Sequence, residues 1–263
     1  EDTHNDLPCS SYEAQYIAQM YGVPEEQRLR GEAATIDSYK LLLSQVQRLL
    51  STHHAQSRID NCMESALVLA DGRLTLGQLL SPAFRFPDLD EVFIDCCETN
   101  LGQVQISDDV LTLNTGFLCA GARGVISSLW SVEDLGTCLF SIFYHQLRQE
   151  GKNRSLALQL GQRQLRELTG KELKKKYKKE LEEALEEKLE AAYKQLQEIE
   201  RRLDSYAEGS AEYQELKEER EKLVAIYERI FDTKNKYLKA ACKKQHPFEH
   251  PAYWSAFICA GLS

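Results

Sequence analysis

Two stretches of this chain hold the residue types that thiol-based acyl transfer requires. In Glu91-Val92-Phe93-Ile94-Asp95-Cys96-Cys97-Glu98-Thr99-Asn100-Leu101-Gly102, a short apolar, β-favouring run carries two cysteines to its end and then breaks into polar residues and glycine. A buried parallel strand delivers side chains to a crevice at the sheet edge in this way. A second predicted strand, Val46 to Thr52, runs into Thr52-His53-His54-Ala55-Gln56-Ser57 and leaves two imidazoles at its terminus. If the two strands are parallel neighbours, a His and a Cys leave the same edge, with Cys97 following His54 by 43 positions. A thiol at its ordinary pKa is only slightly ionised near neutral pH, so an imidazole that takes its proton turns it into a nucleophile. Successive strand side chains point to opposite faces, so only one of Cys96 and Cys97 can meet the imidazole; the other reads as a small buried residue. Taken alone, a His at a strand end is more often structural than catalytic.

The surrounding elements have to position these groups. Ser10 to Met20 reads as a short amphipathic helix ended by Gly22-Val23-Pro24, and Thr35-Ile36-Asp37 opens a second helix with Ile36, Tyr39, Leu42 and Leu43 on its buried stripe. Ser65 to Leu74 has a hairpin signature with Asp71-Gly72 as its turn, and Leu76 to Leu80 is a helical turn stopped by Pro82. After Gly102 a helix is predicted from about Ser107 to Gly121, then a strand from Gly124 to Trp130 that again ends in polar residues, then helices over 135–149 and 155–168. Strand alternating with helix predicts an α/β domain with a mostly parallel sheet flanked by helices.

From Lys171 to Lys244 the composition changes. Leu173, Tyr177, Leu181, Leu185, Leu189, Tyr193, Leu196, Ile199 and Leu203 recur every three or four residues amid dense Lys and Glu, Ala207-Glu208-Gly209-Ser210 interrupts them, and Tyr213, Leu216, Leu223, Ile226, Ile230 and Tyr237 resume. This predicts an antiparallel, coiled-coil-like helical hairpin inserted in the domain, because Phe257-Ile258-Cys259-Ala260 then reads as a last strand. The expected organisation is a core over 1–170, the hairpin over 171–245 and a return to the core over 246–263. A solvated spacer and a docking arm explain the hairpin equally well.

Composition narrows the function classes. The chain has 263 residues, 43% of them hydrophobic, enough for one good core. A net charge of −9 argues against a nucleic-acid-binding surface, and the Lys174-Lys175-Lys176 run reads as a solvated helix face. No apolar run approaches the roughly 18 residues of a membrane span, and no secretory signal is present at the N-terminus, so a cytoplasmic protein is expected. The eight cysteines are scattered without a CxxC pair, which predicts a reducing compartment, no disulfide framework and no metal site; no cofactor is called for.

Six ordered motifs carry a family resemblance. They are Thr52-His53-His54-Ala55 with Asn61 downstream, Leu67-Val68-Leu69-Ala70-Asp71-Gly72-Arg73-Leu74-Thr75, Cys97-Glu98-Thr99-Asn100-Leu101-Gly102, Phe117-Leu118-Cys119-Ala120-Gly121-Ala122-Arg123, Ser128-Leu129-Trp130-Ser131-Val132-Glu133-Asp134, and His250-Pro251-Ala252-Tyr253-Trp254. Together they resemble the CHAT family of caspase-like cysteine peptidase domains, related in fold to separase and metacaspases, across nearly the whole chain apart from the hairpin. The resemblance implies Cys97, the Cys before Glu98-Thr99, as nucleophile. It implies a His as base: His54 keeps the usual spacing to Asn61, and His53 is the alternative. Ala55 stands where the family more often has Gly, and the backbone amides of Cys97 and Ala55 would bind the oxyanion. An acid two residues before the nucleophile resembles the metacaspase arrangement, in which it lines a pocket for a basic P1 side chain. Asp95 is thus expected to confer a preference for Arg or Lys at P1, with Trp130 and Asp134 on the opposite wall; a loop-fixing carboxylate is the competing reading of Asp95.

The resemblance also implies a protein or peptide substrate and a regulating module such as tetratricopeptide repeats, in bacterial stress or defence signalling. The family has a strand before the motif at Leu7-Pro8, so an N-terminal segment or a second chain is expected to complete the sheet. The competing function is a catalytically inactive scaffold that binds partners through its hairpin. A thiol protein without a peptide groove is a third.

Overall fold

The computed structural model describes residues 7–52, 54–56, 58, 60–95, 112–130 and 132–262, and of Asp95 only the backbone. Cys96, Cys97, His53 and the helix start expected at Ser107 lie outside the described residues. By internal contacts the chain divides into two compact units, Glu13–Arg166 with Phe248–Ser263, and Glu1–Tyr12 with Glu167–Pro247.

Among the described residues the first unit holds seven strands: β1 (Arg48–Thr52), β2 (Ala55–Gln56), β3 (Ala66–Leu69), β4 (Gly72–Thr75), β5 (Glu91–Asp95), β6 (Gly124–Ser128) and β7 (Phe257–Gly261). Four of them form a sheet in the order β1-β5-β6-β7, and β2-β3-β4 form a second, antiparallel one. β1, β5 and β6 are parallel and β7 runs antiparallel to β6, so the main sheet is mostly parallel, as the strand–helix alternation implies. β5 is buried on both faces, which explains why it reads as a continuous apolar run. The hairpin of β3 and β4 forms where expected, but Leu69 pairs with Gly72, so Ala70 and Asp71 make the turn and Gly72 opens β4. β6 stops at Ser128, two residues short of the expected Trp130.

One face of the main sheet is covered by helix α2 (Ile36–Leu43), the small second sheet and helix α4 (Leu113–Ala120), with helix α3 (Leu76–Leu79) between them. Tyr39, Leu43, Leu49, Val92, Phe117 and Val125 are among the core residues there. Local caps start these short helices. The Thr35 hydroxyl accepts from the Ser38 N–H, and Thr75 and Gln78 form a capping box.

The other face belongs to α5 (Asp134–Gln149) and α6 (Arg154–Glu167), with α1 (Ser10–Tyr21) against α5 through the Gln146–Tyr16 and Gln149–Met20 hydrogen bonds. Phe93 of β5 lies with ring centroids 5.3 Å from Tyr144 and 5.1 Å from His145. At the N-terminal end of β5, buried Glu91 accepts from Arg148 at 2.8 Å and Tyr144 at 3.1 Å and lies 3.1 Å from the Arg154 Nε. Gly124 makes room for Arg154: a Cβ there would sit 2.6 Å from its Cδ.

His145 is buried, and neither ring nitrogen has a hydrogen-bond partner among the described residues. Burial, helped by the Arg48 and Arg148 guanidinium charges, holds its pKa down from 6.5 to about 3. The unfolded chain therefore takes up a proton near pH 6.5 that the folded chain refuses until about pH 3. Stability is full above the unfolded value and falls as pH drops through this window, by roughly 5 kcal/mol in all. His145→Phe, which keeps the ring and gives up no hydrogen bond, is expected to flatten this part of the stability–pH curve in urea titrations. Equal slopes for the two proteins would rule the assignment out.

The second unit contains α7 (Gly170–Lys176), α8 (Lys178–Leu203), α9 (Ala211–Asp232), a π-helical turn over Thr233–Tyr237 and α10 (Leu238–Ala241). Thr169 and Glu172 form the capping box that starts α7, and Ser210 caps α9 after the turn at Gly209, whose φ of 91° suits glycine. α8 and α9 pack antiparallel, as the Glu200–Arg220 and Glu186–Lys234 ion pairs require. Leu181, Leu185, Leu189, Ala192 and Ile199 of α8 are buried with Leu216 and Ile230 of α9. Two residues expected in this seam are outside it: Tyr193 is 54% exposed and Tyr237 is 55% exposed. The seam steps from Leu189 to Ala192, so the small neighbour takes the inward place and Tyr193 flanks it. Tyr237 ends the π turn, whose wider spacing rotates the following residues off the α-helical period.

Candidate active site

The register of β1 on β5 sets the geometry of the site. Thr52 pairs with Asp95, so the chain leaves the C-terminal ends of two adjacent parallel strands immediately before positions 53–54 and 96–97. In an open α/β sheet that edge is where ligands bind. The position of the expected base is further defined by the second sheet. The His54 carbonyl accepts from the Val68 N–H at 2.8 Å, and Ala55 then pairs with Leu67. His54 is thus held on the short link between the two sheets, partly buried.

This pairing also orients a backbone donor. The bond from Val68 to His54 makes those two a hydrogen-bonded antiparallel pair, so the next pair, Ala55 and Leu67, is of the other type. The Ala55 N–H accordingly points away from β3, across the outer edge of β2. That N–H therefore takes no part in the β2–β3 ladder.

The neighbouring strand brings the two wall candidates to the same edge. Trp130 lies just past the end of β6 and Asp134 is the first residue of α5, which starts where β6 finishes. The Glu133 side chain caps α5 by accepting from the Gly136 N–H at 3.1 Å, and the adjoining Asp134 carboxylate lies in the first turn, where the helix dipole favours it. Asp134 therefore has a helix-stabilising role whatever else it does. Of Asp95 the backbone alone is described, at the last paired position of β5.

A further part of this edge comes from the other end of the chain. β7 is antiparallel to β6 with Phe257 opposite Ser128, which places the residues before Phe257 beside the exit of β6. The Trp130 Nε1–H donates to the Ala252 carbonyl at 3.3 Å, the His250 Nδ1 accepts from the Ala252 N–H at 3.2 Å, and Arg166 lies over Trp254 at 5.7 Å. Nothing local in the sequence marks Ala252 as the residue that positions Trp130. The two are 122 positions apart and meet through a carbonyl, which every residue has. Among the described residues no group of three His, Cys, Asp or Glu could hold a metal ion.

The family model of the CHAT domain matches residues 2–262. The chain belongs to the CHAT family. That family consists of caspase-like cysteine peptidase domains, and the match takes in both the sheet and the helical hairpin of this CHAT domain. No curated protein shows significant similarity to the chain. No described helix of the CHAT domain is long and apolar enough to cross a membrane.

Proposed function

We propose that this CHAT domain is a cysteine endopeptidase with a His54–Cys97 dyad. The observation that carries the reading is the parallel register ending at Thr52 and Asp95, from which the two residues follow at equivalent steps. His54 takes the thiol proton, and the Cys97 thiolate attacks the scissile carbonyl. The amides of Cys97 and Ala55 bind the oxyanion, supported for Ala55 by its outward direction on β2. The imidazolium then protonates the leaving amine, and water, deprotonated by the same imidazole, hydrolyses the thioester. Asp95 and Asp134 supply the negative charge of a pocket for Arg or Lys at P1, with the Trp130 ring, tethered to Ala252, as its wall. An added segment or second chain completes the sheet along β1, an edge of the described sheet, and a sensor module regulates the site.

The test is labelling of the protein by a peptidyl electrophile with Arg at P1, followed by peptide mapping. Modification of Cys97 that is lost in Cys97→Ala and His54→Ala is expected, as is loss of the preference for Arg over Leu at P1 in Asp95→Ala. Unchanged P1 preference in Asp95→Ala would reduce that carboxylate to a loop-fixing group. If Cys97 is not labelled at all, the scaffold reading replaces the peptidase.

A further inference from the structure

The Lys174-Lys175-Lys176 run is part of a larger separation of charge within the helical hairpin. Residues 170–179, which are α7 and the start of α8, and residues 233–247, which are the π turn, α10 and the chain leaving it, hold eleven lysines, no arginine and one carboxylate, Glu172. Residues 180–232 between them hold seventeen carboxylates against eight lysines and arginines. The two lysine-rich segments meet at the base of the hairpin. The Gly170 N–H donates to the Lys244 carbonyl at 3.2 Å, and a Cβ on Gly170 would lie 2.4 Å from that oxygen, so the start of α7 is in backbone contact with the chain leaving α10. Cys242 reports the same junction. Burial raises its thiol pKa and the Lys178 and Lys174 charges oppose that, which places lysines of α8 and α7 beside the end of α10.

Folding alone does not account for this cluster. Other lysines of the hairpin meet a carboxylate one turn away or on the facing helix, as in Lys178–Glu182, Lys179–Glu183, Lys236–Asp232 and Lys234–Glu186. Lys171, Lys174, Lys175, Lys176, Lys243 and Lys244 are exposed and form no ion pair among the described residues. Glu172, the one acid in these segments, is bonded to Thr169 in the capping box. Lys171 and Lys175 stand one turn apart on α7, a like-charge spacing that costs helix stability. One or two cations complement the dipole at the end of α7, and the others repel one another until an anion covers them. The surroundings define that anion. α7 is about 10 Å long, and the acids of α8 begin at Glu180. With charges screened beyond about 8 Å, a short anion laid on the base meets lysines alone, whereas a long polyphosphate runs on to the acidic arm. Lysine without arginine offers point charges and not the planar fork favoured for nucleic-acid phosphates.

We propose that the lysine cluster at the base of the helical hairpin docks a short acidic segment, a run of Asp and Glu, of a partner protein. The proposal is independent of the peptidase reading. Fluorescence anisotropy of dye-labelled octaglutamate with the whole chain, at about 0.15 M salt, is expected to show binding at least about tenfold tighter than that of octaglutamine. Lys174→Glu with Lys243→Glu should weaken octaglutamate binding by at least about tenfold, with far-UV circular dichroism and thermal midpoint unchanged. Lys194→Glu with Lys217→Glu, the same change of charge on exposed lysines of the acidic arm, should leave it unchanged. Carbodiimide cross-linking followed by peptide mapping should join the bound peptide to lysines of α7 and of residues 243–244. No binding of octaglutamate, equal weakening by the two pairs of substitutions, or cross-links spread along the hairpin would each overturn the proposal. A single-stranded oligonucleotide that bound more tightly than octaglutamate and lost its binding in Lys174→Glu with Lys243→Glu would overturn it in favour of a nucleic-acid site.

Discussion

Replacing Glu91 by alanine is expected to destabilise the chain by about 3–5 kcal/mol, the cost of leaving a buried charge uncompensated. Glu91 is 1% exposed, and its Oε2 meets Arg148, Tyr144 and Arg154, whose guanidinium side chains are 10% and 7% exposed. Arg154 also bonds the Asp90 and Leu262 carbonyls, and Arg148 the Lys152 carbonyl, so the cluster joins β5 and the C-terminal end of β7 to α5 and α6. Removing the carboxylate leaves the Arg148 guanidinium in the interior facing a gap, while Arg154 of its ion pairs keeps only that with the Asp90 carboxylate at 2.6 Å. Glu91→Gln keeps an acceptor without its charge and should fall between wild type and alanine. Urea unfolding followed by circular dichroism measures both, and a loss under about 1 kcal/mol for Glu91→Ala would mean that water reaches the cluster and screens it. The cluster sits at the edge opposite the candidate site, so a partly folded Glu91→Gln protein that kept peptidase activity would fit the same picture.

The second large effect concerns the dyad itself. His54→Ala is expected to lower kcat/KM by about 10²–10⁴, the usual contribution of a positioned general base. Cys97→Ala should abolish turnover, because no other nucleophile replaces it in the proposed chemistry. The more telling readout is the pH dependence. In the wild type the acidic limb of kcat/KM reports formation of the reactive thiolate–imidazole pair, whereas in His54→Ala the remaining activity should climb toward the ordinary thiol range. If His53→Ala instead lost the acidic limb and His54→Ala kept it, the alternative base would be the correct one. Full activity in both would remove the dyad altogether.

The two strands that lead to the candidate site, ending at Thr52 and Asp95, were legible in the order of residues. An apolar run ending in Cys96-Cys97 and another ending in His53-His54 announce strand ends, since β propensity and burial act within a few residues and leave a local trace. The helix starts at Thr35, Thr75 and Ser210 were equally local, each a side chain closing on an N–H three residues on. Element ends were harder. β6 was expected to reach Trp130 but ends at Ser128, because the Trp130 indole turns to the Ala252 carbonyl. Tyr193 fitted the three-or-four spacing of the α8 seam as well as Ala192 does, and only the packing of α9 decided between them.

What the sequence alone determined is the local chemistry: the strands and helices, the two candidate strand ends, the interruption of the hairpin at Gly209, and the family motifs. Tertiary structure decided everything that depends on which distant segments meet. The Thr52–Asp95 register, the outward turn of the Ala55 amide, the return of β7 beside β6 and the burial of Glu91 between two arginines all join residues far apart in the chain. Such pairings are chosen by the sum of many weak contacts and hydrogen bonds over the whole core, so no short window of sequence contains them.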